Sequence, residues 1–277
     1  MRTQTIELSK LSGSGNDFIL IDNRAGVVDE TRIHDFVVGL CRRRMSVGAD
    51  GLILIEPPRE GHDFRWRFFN ADGSAVEMCG NGARCAARFA HLSGIAGPKL
   101  SFETDAGVIH AEVDGDRVRI RMPDATVEGP PFEIPLAAGS MTVSRIHTGV
   151  PHVVIPVPDA DRIDVVALGR EIRWHRAFEP DGVNVNFVSP DGSGGLYNRT
   201  YERGVEDETL ACGTGSVASA LVMSSLNGVR PPVSVRTRSG ARLTVGFGGS
   251  GGRYSDIFLE GDARFIYKGE LGADAWQ

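Results

Sequence analysis

Ten residues, Met78-Cys79-Gly80-Asn81-Gly82-Ala83-Arg84-Cys85-Ala86-Ala87, return in altered form as Ala211-Cys212-Gly213-Thr214-Gly215-Ser216-Val217-Ala218-Ser219-Ala220. In each copy a cysteine is followed at once by Gly-X-Gly and then by a small, apolar run that predicts a helix, so each thiol is expected at a helix N-terminus. The unsatisfied N–H groups there carry about half a positive charge, and such a setting lowers a thiol pKa from about 8.5 into the range ~3.5–7.5. Two matched, activatable thiols suit a proton-swapping isomerase that works without a cofactor. One takes a proton from a carbon centre and the other returns one to the opposite face.

The elements that must position the thiols are duplicated too. Aligned on the two cysteines without a gap, Phe68-Phe69-Asn70 falls on Tyr201-Glu202-Arg203. Further upstream, Ala49-Asp50-Gly51-Leu52-Ile53-Leu54-Ile55-Glu56-Pro57 resembles Pro180-Asp181-Gly182-Val183-Asn184-Val185-Asn186-Phe187-Val188-Ser189-Pro190, and Gly15-Asn16-Asp17-Phe18 lies nearly as far before Cys79 as Gly149-Val150-Pro151-His152 lies before Cys212. Three features in one order predict two homologous lobes related by a pseudo-twofold axis, with the thiols facing across one cleft.

In the first lobe, strands are predicted at Ile6 to Leu11, Phe18 to Asp22, Ile53 to Glu56, Phe64 to Asn70, Leu100 to Thr104, Val108 to Val113 and Val118 to Met122. Helical spacing runs from Glu30 to Arg43 and from Cys79 to about Ser93-Gly94, where Arg84, Arg88 and His91 form one polar stripe. The second lobe has strands at Val143 to Thr148, Val153 to Val157, Val183 through a hairpin to Tyr201, Val233 to Thr237, Arg242 to Phe247 and Arg253 to Glu260. Its helices run from about Val165 to Arg173 and onward from Cys212. Gly246 to Gly252 reads as a hairpin loop. Gly213 to Gly228 carries no charged residue, so its helix must be enclosed on nearly all sides. The expected fold is mixed α/β (α+β): two pseudo-symmetric lobes, each a mostly antiparallel sheet or barrel around a central buried helix. The expected boundaries are 1–122 plus 266–277 for the first lobe and 123–265 for the second.

At 277 residues and 41% hydrophobic, the chain can bury a large core. A formal net charge of −6 argues against a nucleic-acid or anionic-membrane binder. No apolar stretch is long enough to span a bilayer, and the start from Met1 to Glu7 lacks the apolar core of a leader, so a cytoplasmic protein is expected. In that reducing setting Cys41, Cys79, Cys85 and Cys212 are not expected to form structural disulfides, and without a Cys-x-x-Cys pair no metal site is expected. Gly13-Ser14-Gly15 lacks the third glycine of a dinucleotide fingerprint, and Gly213-Thr214-Gly215 lacks the Lys-Ser/Thr pair of a P-loop.

Gly15-Asn16-Asp17-Phe18, Phe69-Asn70-Ala71-Asp72-Gly73-Ser74, Met78 to Cys85, Glu202-Arg203-Gly204 and Ala211 to Gly215 together resemble the diaminopimelate epimerase family, from about Leu8 to the end of the chain. The resemblance implies conversion of LL- to meso-diaminopimelate without pyridoxal or any other cofactor, a step feeding lysine and peptidoglycan synthesis, in an enzyme that usually dimerises. It implies that Cys212 removes the proton from the LL substrate while Cys79 supplies the new one. It makes His152 and Glu202 the auxiliary pair that orients the thiols and tunes their protonation. Asn16, Asn70, Asn81, Asn184, Glu202 and Arg203, with the backbone at Gly80, Asn81, Gly213 and Thr214, would bind the substrate's polar groups. Cys85 reads as a packing residue, and Cys41 has no motif support.

Related proline racemases and hydroxyproline epimerases typically carry His where Asn81 stands and an Asp-Arg-Ser type sequence at Glu202-Arg203-Gly204. Two positions depart from the diaminopimelate pattern: Gly51, where many members have Gln, and Val150, where many have Asn. A racemase of another amino acid on the same scaffold therefore stays open. The remaining alternative is a non-catalytic redox switch joining Cys79 to Cys212.

Overall fold

Both Cys-Gly-X-Gly runs open a helix, and the strands around each helix are paired in the same order. The computed structural model describes residues 5–277; Met1 to Gln4, part of the start read above as lacking a leader core, lie outside them. The chain divides into two compact units, Met1–Ile120 with Gly261–Gln277, and Arg121–Glu260.

The first unit runs β1 (Glu7–Gly13), β2 (Asn16–Asp22), α1 (Ile33–Cys41), β3 (Gly51–Glu56), β4 (Phe64–Asn70), β5 (Ala75–Val76), α2 (Gly80–Leu92), β6 (Lys99–Thr104), β7 (Gly107–Asp114) and β8 (Arg117–Arg121). The second runs β9 (Ala125–Leu136), β10 (Gly139–His147), β11 (Pro151–Pro156), α3 (Val165–Arg173), β12 (Asn184–Pro190), β13 (Leu196–Glu202), β14 (Asp207–Thr209), α4 (Gly213–Asn227), β15 (Val233–Arg236), β16 (Arg242–Ser250) and β17 (Arg253–Asp262). The chain then returns to the first unit through β18 (Arg264–Glu270).

Pairing shows the duplication. In the first unit β1–β2 is antiparallel, β2–β3 parallel, β3–β4 and β4–β5 antiparallel, β4–β6 parallel and β6–β7 antiparallel. The same signs recur in β10–β11, β11–β12, β12–β13, β13–β14, β13–β15 and β15–β16. Register makes the match residue by residue. Phe18 faces Gly51 as His152 faces Asn184, and Leu52 faces Phe69 as Val185 faces Tyr201. The counterpart of Tyr201 is therefore Phe69, not the Phe68 of the gapless alignment, and Asn70 corresponds to Glu202. The alignment slips because the connection from β13 to Cys212 is longer by one residue than that from β4 to Cys79.

Helix α2 packs on β1, β2, β3 and β7, and α4 on β9 to β13, β15 and β16. The charge-free sequence of α4 follows from this enclosure: everything from Gly215 to Met223 is buried. The helix stops at Gly228, a left-handed C-cap with φ 67° that glycine adopts without a Cβ penalty.

Several expectations are corrected. Arg84 is not part of a polar stripe, because it is completely buried and makes its hydrogen bonds inside the unit. Gly246 to Gly252 is mostly strand: β16 and β17 stay paired out to Ser250 and Arg253, and Gly246 is required because the Phe258 ring lies over it. Strand β9, with Pro130, Pro131 and Pro135, is not among the strands expected from the sequence, yet it pairs along β10 as β18 pairs along β1. Among the described residues no helix is long and apolar enough to cross a membrane.

Candidate functional site

Each cysteine is the N-cap of its helix. Cys79 (φ −146°, ψ 117°) accepts the Gly82 N–H on its sulfur at 3.5 Å, and Cys212 (φ −113°, ψ 113°) accepts that of Gly215 at 3.4 Å. Sulfur thus occupies the position where a Ser or Asp oxygen normally satisfies a first-turn donor, and the N-terminal end of the dipole favours its anion. First-turn N–H groups, at Gly80 and Asn81 in α2 and at Gly213 and Thr214 in α4, have no acceptor within a helix and suit a carboxylate. Little room is left at Gly213, where a Cβ would lie 2.9 Å from Leu259 Cδ2.

In the first unit two of the predicted asparagines, Asn81 and Asn16, form a directed chain. Arg84 donates to Asn81 Oδ1 at 2.8 Å, Asn81 Nδ2 to Asn16 Oδ1 at 2.8 Å, and Asn16 Nδ2 to Asp50 Oδ2 at 3.0 Å. A guanidinium only donates and a carboxylate only accepts, so both amides are held in one orientation. Arg84 also donates to Ser14 Oγ at 2.8 Å, and Ser14 Oγ to Asp262 Oδ1 at 2.9 Å. Asp50 in turn accepts from Arg43 at 2.8 Å. Arg84 and Asp50 were not among the sequence candidates; the signal was an arginine inside an otherwise small-residue helix start. Asn70 sits exposed at the end of β4 and bonds Ser74 in its own turn at 3.2 Å. Gly51 is fixed by close approach, since a Cβ there would lie 2.5 Å from both Phe68 Cε2 and Phe69 O.

In the second unit His152 and Thr214 meet: His152 Nε2 lies 3.0 Å from Thr214 Oγ1, which lies 3.4 Å from Cys212 Sγ. Burial, and after it the charges of His147 and Arg203, push the His152 imidazole down to about 3, so the ring is neutral. Burial also pushes the Glu202 carboxyl up, towards its protonated form. Asn184 faces His152 across the parallel β11–β12 pair. Its Nδ2 donates to Pro151 O at 3.0 Å, and its Oδ1 accepts the Arg203 N–H at 2.9 Å. Arg203 is half-buried, and its guanidinium donates to the Asp181 carbonyl at 3.5 Å. Val150, the other departure, accepts the Thr148 N–H through its carbonyl at 3.1 Å. Sequence reasoning missed Asn186, whose Nδ2 lies 3.0 Å from His152 Nδ1. Two asparagines alternating with valines in a buried strand were the available signal.

Cys85 and Cys41 stand apart from this chemistry. Burial pushes their thiols up to about 12 and about 11. Among the described residues no group of three or more His, Cys, Asp or Glu side chains is placed to hold a metal ion.

The diaminopimelate epimerase family model matches residues 8–128 and 144–252. The diaminopimelate epimerase of Aquifex aeolicus is 46% identical over 282 residues, covering 97% of this chain and 99% of its own. That of Hydrogenobaculum sp. is 45% identical over 276 residues, covering 95% and 98%. Among solved structures, a phenazine biosynthesis protein of the PhzF family from Bacillus anthracis superposes with a TM-score of 0.73 at 15% identity, covering 97% of this chain and 99% of its own. A hydroxyproline epimerase from Agrobacterium vitis superposes at 0.71 and 18%, covering 98% and 93%; both likenesses establish the shared fold alone. With relatives this close over nearly its whole length, the chain belongs to the diaminopimelate epimerase family.

Proposed function

We propose that this protein interconverts LL- and meso-2,6-diaminopimelate by exchange of the Cα proton between Cys79 and Cys212. The observation that carries the reading is the pair of sulfurs at helix N-caps, each receiving a backbone N–H. In the LL-to-meso direction the Cys212 thiolate takes the Cα proton, leaving the electron pair on Cα and its carboxylate. The Cys79 thiol then delivers its proton to the opposite face, and the roles exchange in reverse. First-turn N–H groups at Gly80, Asn81, Gly213 and Thr214 stabilise the developing negative charge on the carboxylate. Asn16 and Asn81 present oriented N–H groups, while Arg203 offers a charge-assisted bond to a carboxylate. Asn70 and Asn184 complete the polar lining, and His152 and Glu202 support the thiols. Both proton transfers are made by protein groups, so the reaction needs no cofactor. The proposal includes a cytoplasmic homodimer, the arrangement expected of the family.

Solvent isotope entry tests it. In heavy water, early product should carry deuterium at Cα while unreacted substrate stays mostly protiated, starting from either isomer. Cys79→Ala and Cys212→Ala should each abolish epimerisation. Return of the original hydrogen in early product, or full turnover by either variant, overturns the assignment.

A further inference from the structure

Behind Cys212 lies a line of buried polar side chains that packing alone does not require. Ser219 Oγ donates to Asn198 Oδ1 at 3.0 Å, Asn198 Nδ2 to Thr200 Oγ1 at 3.1 Å, and Thr200 Oγ1 to Asn186 Oδ1 at 2.9 Å. Asn186 Nδ2 then meets His152 Nδ1 at 3.0 Å, and His152 Nε2 meets Thr214 Oγ1, the neighbour of the Cys212 sulfur. Ser219, Asn198, Thr200, Asn186 and His152 are all buried.

The directions along this line can be worked out. Asn186 Nδ2 also donates to the Val153 carbonyl at 2.9 Å, and a backbone carbonyl only accepts, so the amide cannot be reversed. Its second N–H therefore points at His152 Nδ1, which must be the bare nitrogen of the neutral ring. The ring proton is then on Nε2 and is donated to Thr214 Oγ1. Facing a thiolate, the Thr214 hydroxyl donates its own proton to Cys212 Sγ. Every link donates towards the sulfur, and hydrogen bonds in such a line polarise one another in the same sense.

The duplicated unit provides an internal comparison. By strand register and helix position, the counterparts of His152, Asn186, Thr200, Asn198 and Ser219 are Phe18, Ile53, Phe68, Trp66 and Ala86. These are buried and apolar, with Phe18 on Phe68 and Trp66 on Phe68 each at 5.7 Å between ring centroids. The same fold positions are thus filled by apolar packing in one unit and by a one-way hydrogen-bond line in the other. Fold stability does not demand the polar version.

We propose that Asn186, held by Thr200 and Val153 O, is a positioning residue that fixes His152 as the Nε2–H tautomer, so that Thr214 presents its hydroxyl proton to Cys212 and favours that thiolate. The role of Cys212 rests on the two-thiol reading above, whereas the hydrogen-bond directions do not. The test therefore begins on the resting protein, without substrate.

Long-range ¹⁵N–¹H NMR, with the His152 signal identified by its loss in His152→Gln, should show the Nε2–H tautomer. An Nδ1–H tautomer, or an imidazolium at neutral pH, overturns the proposal whatever the outcome of the isotope experiment. Asn186→Asp presents an acceptor to Nδ1 and should move the proton there or charge the ring. Thr214→Val should slow alkylation of Cys212 at neutral pH by about tenfold, a rise of about one pKa unit, with Cys79 changed less than about twofold. Thr214→Ser should restore the rate. Unchanged Cys212 reactivity in Thr214→Val, or equal slowing at both thiols, would sink the relay even where Asn186→Asp fails to fold.

Discussion

Gly82 and Gly215 hold the same place in the two Cys-Gly-X-Gly runs, yet alanine at the two positions should have very unequal consequences. Neither glycine has a positive φ, so the backbone admits alanine at both, and the difference lies in what a new methyl meets. At Gly82 it would approach Ile53 Cδ1 at 3.3 Å, Trp66 Cζ3 at 3.4 Å and Cys79 Cβ at 3.6 Å, of which the closest is the free end of a side chain. At Gly215 it would fall within contact distance of Asn186 Oδ1, with Thr200 Oγ1 at 3.1 Å and Cys212 Sγ at 3.2 Å. Ile53 can rotate a methyl away. Asn186 cannot yield without breaking its bonds to Thr200, His152 and Val153 O.

For Gly82→Ala, the preference of a helix for alanine over glycine, about 0.5–1 kcal/mol, offsets mild crowding, so stability should stay within about 1 kcal/mol of the parent. For Gly215→Ala, overpacking costs about 1–3 kcal/mol and each displaced buried hydrogen bond about 1 kcal/mol more, giving a loss of roughly 2–4 kcal/mol. Activity should follow the same division. Gly82→Ala should keep most of its turnover, and Gly215→Ala should lose on the order of a hundredfold through displacement of the Cys212 sulfur. Urea unfolding midpoints and initial rates on LL-diaminopimelate measure both. Equal effects of the two variants, or a Gly215→Ala protein within about 0.5 kcal/mol of the parent, would refute the steric reasoning.

His152, held near 3 against an ordinary value of 6.5, contributes stability that is fully present above 6.5 and is lost as pH falls towards 3. The loss runs at about 1.4 kcal/mol per pH unit. Glu202 acts in the opposite sense: its raised pKa contributes stability below its ordinary 4.5 that is lost as pH rises above it. Unfolding free energies between about pH 4 and 6.5 should therefore climb more steeply for the parent than for His152→Gln, by close to one proton, and parallel profiles would contradict this. Iodoacetamide applied to the native protein near about pH 8 should label Cys79 and leave Cys41 and Cys85 untouched until the chain unfolds. Labelling of Cys85 at the rate of Cys79 would refute its burial.

What the sequence discloses depends on how local its causes are. The capping cysteines are legible because the thiol, the glycines and the helix they open are contiguous, and α4 is legible because its burial removes charge from a continuous run. Strand β9 is not, since its pairing partner β10 tolerates Pro130, Pro131 and Pro135 along a mostly exposed stretch, while local propensity reads prolines as breaks. Strand β18 lacks alternation because Phe265, Ile266 and Tyr267 are all exposed, so its pairing with β1 leaves no period-two mark. The Asn186 line is least legible of all. Its members come from β11, β12, β13 and α4, and only register brings them together.

The two units support their thiols by unlike means, and the chemistry explains why both are supported. In the proposed exchange one sulfur is anionic and the other protonated, and the direction of reaction decides which. Substrate and product differ in the hand of one carbon, so their free energies are nearly equal, and a strong preference for one protonation state would slow the reaction from one side. Cys212 has the hydrogen-bond line ending at Thr214. Cys79 has Arg84 on its own helix, a completely buried guanidinium whose charge interacts with the Cys79 thiol, where the second unit has the apolar Val217. In the proposed exchange a fixed cation on one side and oriented hydrogen bonds on the other would each favour the thiolate locally. Duplication supplied two equivalent helix starts. In the proposed exchange, divergence at the positions behind them gives each sulfur its own support when it carries the charge, and on the Arg84 side the same guanidinium orients Asn81 and, through it, Asn16.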